Sequence, residues 1–154
     1  MAIRRIEPNL NGRDRRVAVV VSRFNGGIGE GLLRGALRAL SEAGVSNDNT
    51  KIVSVPGALE TPLALQRLAQ TGDFDAFVAL GAVIRGETYH FEIVANESAA
   101  GLSSVQLEFG IPIGNGILTC DTDAQAEARM AAKGGEAALA ALELANLLDA
   151  IDGR

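Results

Sequence analysis

Apolar stretches and helix-patterned stretches alternate along the chain. The apolar runs at residues 16–24, 51–55, 75–84 and 111–119 predict β-strands, and the first is predicted to be buried on both faces. Between and after them, apolar residues recur every three or four positions and predict helices at 29–44, 60–71, 89–109, 121–130 and 133–151. The last two are predicted as separate helices that meet between Arg129 and Lys133.

This alternation predicts parallel strands joined by helices. The expected fold is α/β: a three-layer α/β/α sandwich with a four-stranded parallel sheet, flavodoxin-like in class. Residues 16–154 are predicted to form a single domain. Residues 1–15 are polar, contain Asn11-Gly12 within a charge cluster, and predict a flexible N-terminal arm.

Charge and composition narrow the function. The net charge of −5 argues against nucleic acid as a bulk partner, because neutralising phosphates requires a basic surface. One cysteine and one histidine make neither an internal disulfide nor a usual zinc site. No apolar run approaches the ~20 residues of a membrane helix, and the start has no hydrophobic targeting core. We therefore expect a cytoplasmic protein that does not contact a membrane.

Candidate chemistry lies in the loops after the strands, where open α/β sheets bind ligands. In the segment RGETYH, Gly86, Glu87 and Thr88 could present backbone N–H groups to an anion at a helix N-terminus. His90, predicted one turn into the helix, would place an acid/base beside them. The alternative is a capped helix with a structural histidine, and local pattern alone leaves both open.

Two further loops suit a flat, polar ligand. Phe24 follows the first strand and could stack on a ring whose edge Asn25 reads, or it could fold into the core. Gly57 and Ala58 offer open backbone near Glu60. Glu60 could instead serve only to stabilise a helix dipole.

Basic side chains near the end of the chain could neutralise a phosphate. Arg129 could do so with two parallel hydrogen bonds and Lys133 as a point charge. Both could equally be solvated surface charges. Cys120 has no basic neighbour in sequence and is expected to be a packing residue.

Taken in order, these segments carry a family resemblance. VIRGETYHFE, together with SRFN, PGALETP, IPIGNGILTCDTDAQAEAR and KGGEAAL, resembles the 6,7-dimethyl-8-ribityllumazine synthases over about residues 16–151. The resemblance implies condensation of 5-amino-6-(D-ribitylamino)uracil with 3,4-dihydroxy-2-butanone 4-phosphate, which releases phosphate and water in the penultimate step of riboflavin biosynthesis. It also implies no metal or redox cofactor, and sites between neighbouring subunits of a homopentamer.

The resemblance implies a role for each candidate residue. The pyrimidine would stack on Phe24 and lie in a pocket lined by Val83 and Ile84. The ribityl chain and ring would be held by the loop residues Asn25, Gly57, Ala58, Leu59 and Glu60. The phosphate would lie in the cradle of Gly86, Glu87 and Thr88.

Three further residues would act on the reacting groups. Arg129 would pair with the phosphate, and Lys133 would approach from the adjacent subunit. His90 would shuttle protons, poised across the interface by Glu136.

Three departures from the family pattern bear on this picture. Asn115 stands where many relatives carry an aromatic residue that faces the neighbouring site. Glu87 stands where a small residue is usual, and we expect its carboxylate to point away from the phosphate. The join between Arg129 and Lys133 is shorter than in members whose kink accompanies large shells, which predicts an isolated pentamer or a decamer of two pentamers.

Two rival functions remain at this point. A non-catalytic riboflavin or lumazine binder on the same scaffold would fit Asn115, whereas His90, Thr88 and Arg129 favour catalysis. A regulatory flavodoxin-like domain without chemistry would need an acidic pocket or a hydroxyl-rich flavin loop after the first strand. The segment SRFNGG supplies neither clearly.

Overall fold

Each of the four apolar runs forms a strand in the computed structural model, which describes residues 2–154. The strands are β1 (Val17–Ser22), β2 (Thr50–Val55), β3 (Ala76–Ile84) and β4 (Ile113–Cys120). The α-helices are α1 (Gly26–Glu42), α2 (Thr61–Thr71), α3 (His90–Phe109) and α4 (Asp123–Asp152). Short 3₁₀ helices span Asn47–Asn49 and Ala58–Glu60.

Within residues 2–154 the four strands form one sheet in the order β2-β1-β3-β4, and every neighbouring pair is parallel. The predicted fold class is therefore confirmed. Because the strands are parallel, their carboxyl ends share one edge of the sheet, where the loops singled out above begin. β1 and β3 are central, which explains why they are almost wholly buried.

The side chains of β1 alternate between two hydrophobic layers. Val17, Val19 and Val21 pack in the layer that contains residues of α1 and α4. Ala18 and Val20 pack in the layer that contains residues of α2 and α3. Helices α3 and α4 therefore lie on opposite faces of the sheet, and this separation determines how the candidate site is divided.

The end of the chain differs from the sequence-based expectation. The two predicted helices, 121–130 and 133–151, are wrong as separate elements, because α4 runs without interruption through 30 residues. Thr122 caps its N-terminus, and the Thr122 side chain accepts a hydrogen bond from the Gln125 N–H. The glycine after Lys133 is explained by packing: a Cβ on Gly134 would lie 2.1 Å from the Leu32 carbonyl oxygen of α1. The glycine marks a close approach of two helices and not a helix end.

The segment before β1 contains neither helix nor strand within residues 2–16. Its last part is nevertheless attached to the domain. Asn146 donates hydrogen bonds to the carbonyls of Asn9 and Asn11 at 2.7 and 3.0 Å, and Arg15 pairs with Asp149 at 2.7 Å. The division into an arm of residues 1–15 and a domain of 16–154 stays a prediction. None of the helices within residues 2–154 has both the length and the hydropathy of a membrane span.

Candidate active site

A cavity of about 510 Å³ opens at the carboxyl ends of β1, β2 and β3, beside the first turns of α3. We call it the α3 cavity. Nine of the predicted site residues line it: Phe24, Asn25, Gly57, Ala58, Leu59, Glu60, Val83, Ile84 and His90. Ala82 and Val94, which sequence reasoning did not select, complete the lining. Loops far apart in sequence therefore meet at one opening, as expected for parallel strands.

The Phe24 ring lies at the entrance of this cavity with 67% of the residue exposed. The alternative that Phe24 folds into the core is therefore wrong. Its backbone N–H donates to the Pro56 carbonyl at 3.1 Å, and a Cβ on Gly57 would come within 2.7 Å of the ring. Gly57 thus makes room for the ring, which is held against the loop with a face available for stacking.

Asn25 is fixed by its own backbone conformation. It adopts the left-handed region, with φ 60° and ψ 50°, which asparagine tolerates better than most residues. Its side-chain amide donates to the Ala82 carbonyl at 3.1 Å. The amide nitrogen is therefore used partly in holding the β1 loop against β3, while the side-chain oxygen stays available to a ligand.

The loop between β3 and α3 is exposed, and it ends differently from the expectation. His90 is the first residue of α3 and not one turn inside it. Its N–H approaches the Thr88 hydroxyl at 3.4 Å, so Thr88 serves the helix start as well. Within residues 2–154, the N–H groups of Gly86, Glu87 and Thr88 have no hydrogen-bond acceptor. These three residues do not line the α3 cavity, and the Glu87 residue is exposed.

Arg85, at the start of this loop, was missed by sequence reasoning. Its guanidinium donates to Asp121 at 2.7 Å and to Glu92 at 2.5 Å, and it stacks 4.4 Å from the centre of the Phe91 ring. The hydrogen bonds that Arg85 donates to Asp121 and Glu92 raise the pKa of Arg85, and the one to Glu92 lowers the pKa of Glu92. The clue in the sequence was an arginine placed directly after a buried strand.

A second cavity, of about 620 Å³, lies between β4 and the first half of α4. We call it the α4 cavity. Arg129, Lys133 and Glu136 line it together with Gln125 and Cys120. Arg129 donates to the Gln125 carbonyl at 2.9 Å. Among residues 2–154, neither Arg129 nor Lys133 forms an ion pair with a carboxylate, so both charges are available to an anion.

The α3 and α4 cavities share no lining residue. Because α3 and α4 pack on opposite faces of the sheet, one chain does not bring Arg129, Lys133 or Glu136 to His90. Asn115 lines neither cavity. It is exposed on β4, and its side-chain oxygen accepts the Ile117 N–H at 3.0 Å. Within residues 2–154, no three His, Cys, Asp or Glu side chains are grouped so as to hold a metal.

The fold and the two cavities define a flavodoxin-like α/β protein with a candidate small-molecule site at the carboxyl edge of its sheet. Residues 14–149 match the family model described as 6,7-dimethyl-8-ribityllumazine synthase. The chain belongs to this family, and the resemblance found from the sequence is confirmed.

Three relatives illustrate the similarity, and each is named 6,7-dimethyl-8-ribityllumazine synthase. One from Nitrosospira multiformis is 59% identical over 147 residues, which cover 96% of this chain and 92% of the relative. One from Methylobacillus flagellatus is 55% identical, covering 95% of this chain and 98% of the relative. One from Paraburkholderia phymatum is 52% identical, covering 99% and 91% respectively. The predicted enzyme class is confirmed at the level of the family, and nothing favours the non-catalytic binder.

Proposed function

We propose that this protein condenses 5-amino-6-(D-ribitylamino)uracil with 3,4-dihydroxy-2-butanone 4-phosphate to 6,7-dimethyl-8-ribityllumazine, with release of phosphate and water. The family assignment supports the reaction. The observation that carries the site assignment is the division of the candidate residues between two cavities on opposite faces of one sheet. A complete site then requires the α3 cavity of one copy and the α4 cavity of its neighbour.

The α3 cavity would hold the heterocycle. The exposed ring of Phe24 offers a stacking surface, and Val83 and Ile84 offer an apolar wall at the end of β3. Glu60 and the free oxygen of Asn25 are placed at the same opening to accept hydrogen bonds from ribityl hydroxyls or ring N–H groups. This combination of apolar lining and a few polar groups is typical of small-molecule sites.

The phosphate would lie at the start of α3. The unpaired N–H groups of Gly86, Glu87 and Thr88 precede a helix of 20 residues, whose N-terminus favours an anion. Arg129 and Lys133 of the neighbouring copy would bring positive charge to it. The exposed Glu87 fits the expectation that its carboxylate stays out of the cradle and only its N–H contributes.

His90 would move protons between the reacting groups. The amine condenses with the ketone to an imine with loss of water, phosphate leaves, and ring closure expels a second water, so protons must leave nitrogen and reach oxygen. Glu136 of the neighbour would orient the imidazole. One acid/base contributes about 10²–10⁴-fold, while holding two substrates side by side can contribute several kcal/mol more, on the order of 7. We therefore expect His90→Ala to slow turnover strongly and to leave substantial residual activity.

The assembly proposed is a homopentamer, alone or paired into a decamer. Exposed apolar side chains support contact between copies: Leu63 on α2 is 64% exposed and Leu107 on α3 is 83% exposed. An interface that joins the α3 cavity of one copy to the α4 cavity of the next is heterologous, and heterologous contacts form a ring when the rotation between copies closes. Light scattering that gives a monomer or a shell-sized particle would contradict this assembly.

Mixed assemblies test the shared site. His90→Ala and Arg129→Ala chains, each with its own affinity tag, are co-expressed and the mixed particles are purified through both tags. Sites that pair an intact α3 cavity with an intact α4 cavity then recur at about one in four positions. Lumazine formation from both substrates, followed by fluorescence, should exceed that of either single variant. Mixed particles no more active than the single variants would contradict a site between copies.

A further inference from the structure

Arg85 stands between the two cavities without lining either. It follows the last residue of β3 and begins the loop that carries the proposed phosphate cradle. Its backbone N–H donates to the Cys120 carbonyl at 2.9 Å, which attaches the loop to the last residue of β4. Its side chain then reaches two carboxylates in different elements, Glu92 in α3 and Asp121 before α4.

The first contact fixes the start of α3. Glu92 lies two residues after His90, in the first turn of the helix. The Arg85 guanidinium donates to its carboxylate at 2.5 Å and stacks on the neighbouring Phe91 ring at 4.4 Å. An arginine fork holds a carboxylate in a defined direction, and stacking on a ring restricts it further. The loop of residues 86–89 is therefore tied at its beginning and just past its end by one side chain.

The second contact fixes the start of α4. Asp121 accepts from Arg85 at 2.7 Å, and the Asp121 N–H donates to the Gln125 side chain at 2.8 Å. The Gln125 backbone carbonyl in turn accepts a hydrogen bond from the Arg129 side chain at 2.9 Å. A continuous series of hydrogen bonds therefore leads from Arg85 to the arginine that faces the α4 cavity.

We propose that Arg85 is a positioning residue for both cavities of its chain: through Glu92 it sets the phosphate cradle and His90, and through Asp121 it sets Arg129. The proposal rests on the proposed function. Its effect is on geometry and not chiefly on stability, because exposed ion pairs contribute little to stability and the Arg85 side chain is 47% exposed. Catalysis is more sensitive, since a displacement of about 1 Å at a reacting group can cost about 10²-fold.

Arg85→Met, Arg85→Lys and the control Arg38→Met test this. Arg38 forms a single, more exposed pair with Glu42 at 3.0 Å, on α1 and outside both cavities. We expect Arg85→Met to lower kcat by roughly 10–100-fold, with a smaller change in KM for the pyrimidine, since the pyrimidine would stack on Phe24, to which Arg85 makes no hydrogen bond. Arg85→Lys should recover part of the loss, because one ammonium can meet one carboxylate but not both. Arg38→Met should match wild type.

The mixed assemblies distinguish the effect of Arg85 through Glu92 from its effect through Asp121. Glu92→Gln should lower recovered activity more on the chain that supplies His90 than on the chain that supplies Arg129. Asp121→Asn should show the opposite preference. A reduction that depends on which chain carries the change is not produced by a general loss of folding.

The outcomes distinguish the two proposals. Wild-type protein that forms no lumazine would overturn the proposed function. Active wild-type protein with an Arg85→Met variant of unchanged kcat would overturn the positioning role alone. Should Arg85→Met fail to fold, equal losses for Glu92→Gln on either chain, and for Asp121→Asn on either chain, would overturn it as well.

Discussion

Replacing Gly134 by alanine tests the close packing of α1 against α4. A Cβ at Gly134 would lie 2.1 Å from the Leu32 carbonyl oxygen, whereas carbon and oxygen normally approach to about 3.3 Å. The two helix backbones would therefore have to separate by about 1.2 Å. The neighbouring Gly135 is the matched control, because a Cβ there meets nothing closer than 3.5 Å.

The two changes should act in opposite directions. Overpacking typically costs about 1–3 kcal/mol, and a clash with backbone lies at the upper end, at about 3. Alanine in a helix interior is favoured over glycine by about 1 kcal/mol. Gly134→Ala should thus lose about 2 kcal/mol net, and Gly135→Ala should gain up to about 1.

Thermal unfolding at matched protein concentration measures both variants. With about 2–4 °C per kcal/mol for a chain of this size, Gly134→Ala should lower Tm by roughly 4–8 °C and Gly135→Ala should raise it by roughly 2–4 °C. Light scattering confirms that both assemble alike, since a change in assembly alone shifts Tm. Shifts of the same sign in the two variants would refute the close contact between α1 and α4.

Three further predictions concern the ring, the ion pair and the arm. Gly57→Ala should displace the Phe24 ring and raise KM for the pyrimidine by about 2–12-fold, the equivalent of a lost stacking contact; an unchanged KM would contradict it. Hydrogen bonding to Arg85 lowers the pKa of Glu92, so their pair stabilises the fold above about pH 4.3 and is lost as the pH falls through the lowered pKa. The Tm difference between wild type and Glu92→Gln should therefore vanish in acid, and a difference that grows there would contradict this. Asn146→Ala removes four hydrogen bonds to the N-terminal segment, two donated to Asn9 and Asn11 and two accepted from Arg15, and should speed its cleavage by trypsin, whereas equal cleavage rates would show that Asn146 does not hold it.

The hydrophobic pattern of the sequence predicted the four strands of the sheet, because each strand is a short uninterrupted or alternating apolar run. The run of valines in β1 is buried on both faces, as its uninterrupted hydrophobicity indicates. The same logic fails beside Gly134, where it predicts a join between two helices at residues 130–133, since a glycine next to a helical pattern can signal either a break or two helices in close contact. Only the position of Leu32 in the folded chain distinguishes the two.

The sequence predicted those residues of the candidate site that lie in the loops directly after the strands. Phe24, Gly57 and Val83 meet because parallel strands present their carboxyl ends at one edge. Arg85 was not predictable in this way, because its partner Asp121 lies 36 residues further along the chain and no spacing rule connects them. Long-range ion pairs of this kind become visible only when the register of β3 and β4 is known.

The separation of the two cavities on either side of one sheet has a consequence for how copies are counted. In the proposed assembly, an open row of n copies contains n − 1 complete sites, because one α3 cavity and one α4 cavity at its two ends have no partner. Closing the row into a ring joins these two cavities and completes the last site without another copy. Dilution that opens the ring should therefore cost activity before it unfolds a single chain.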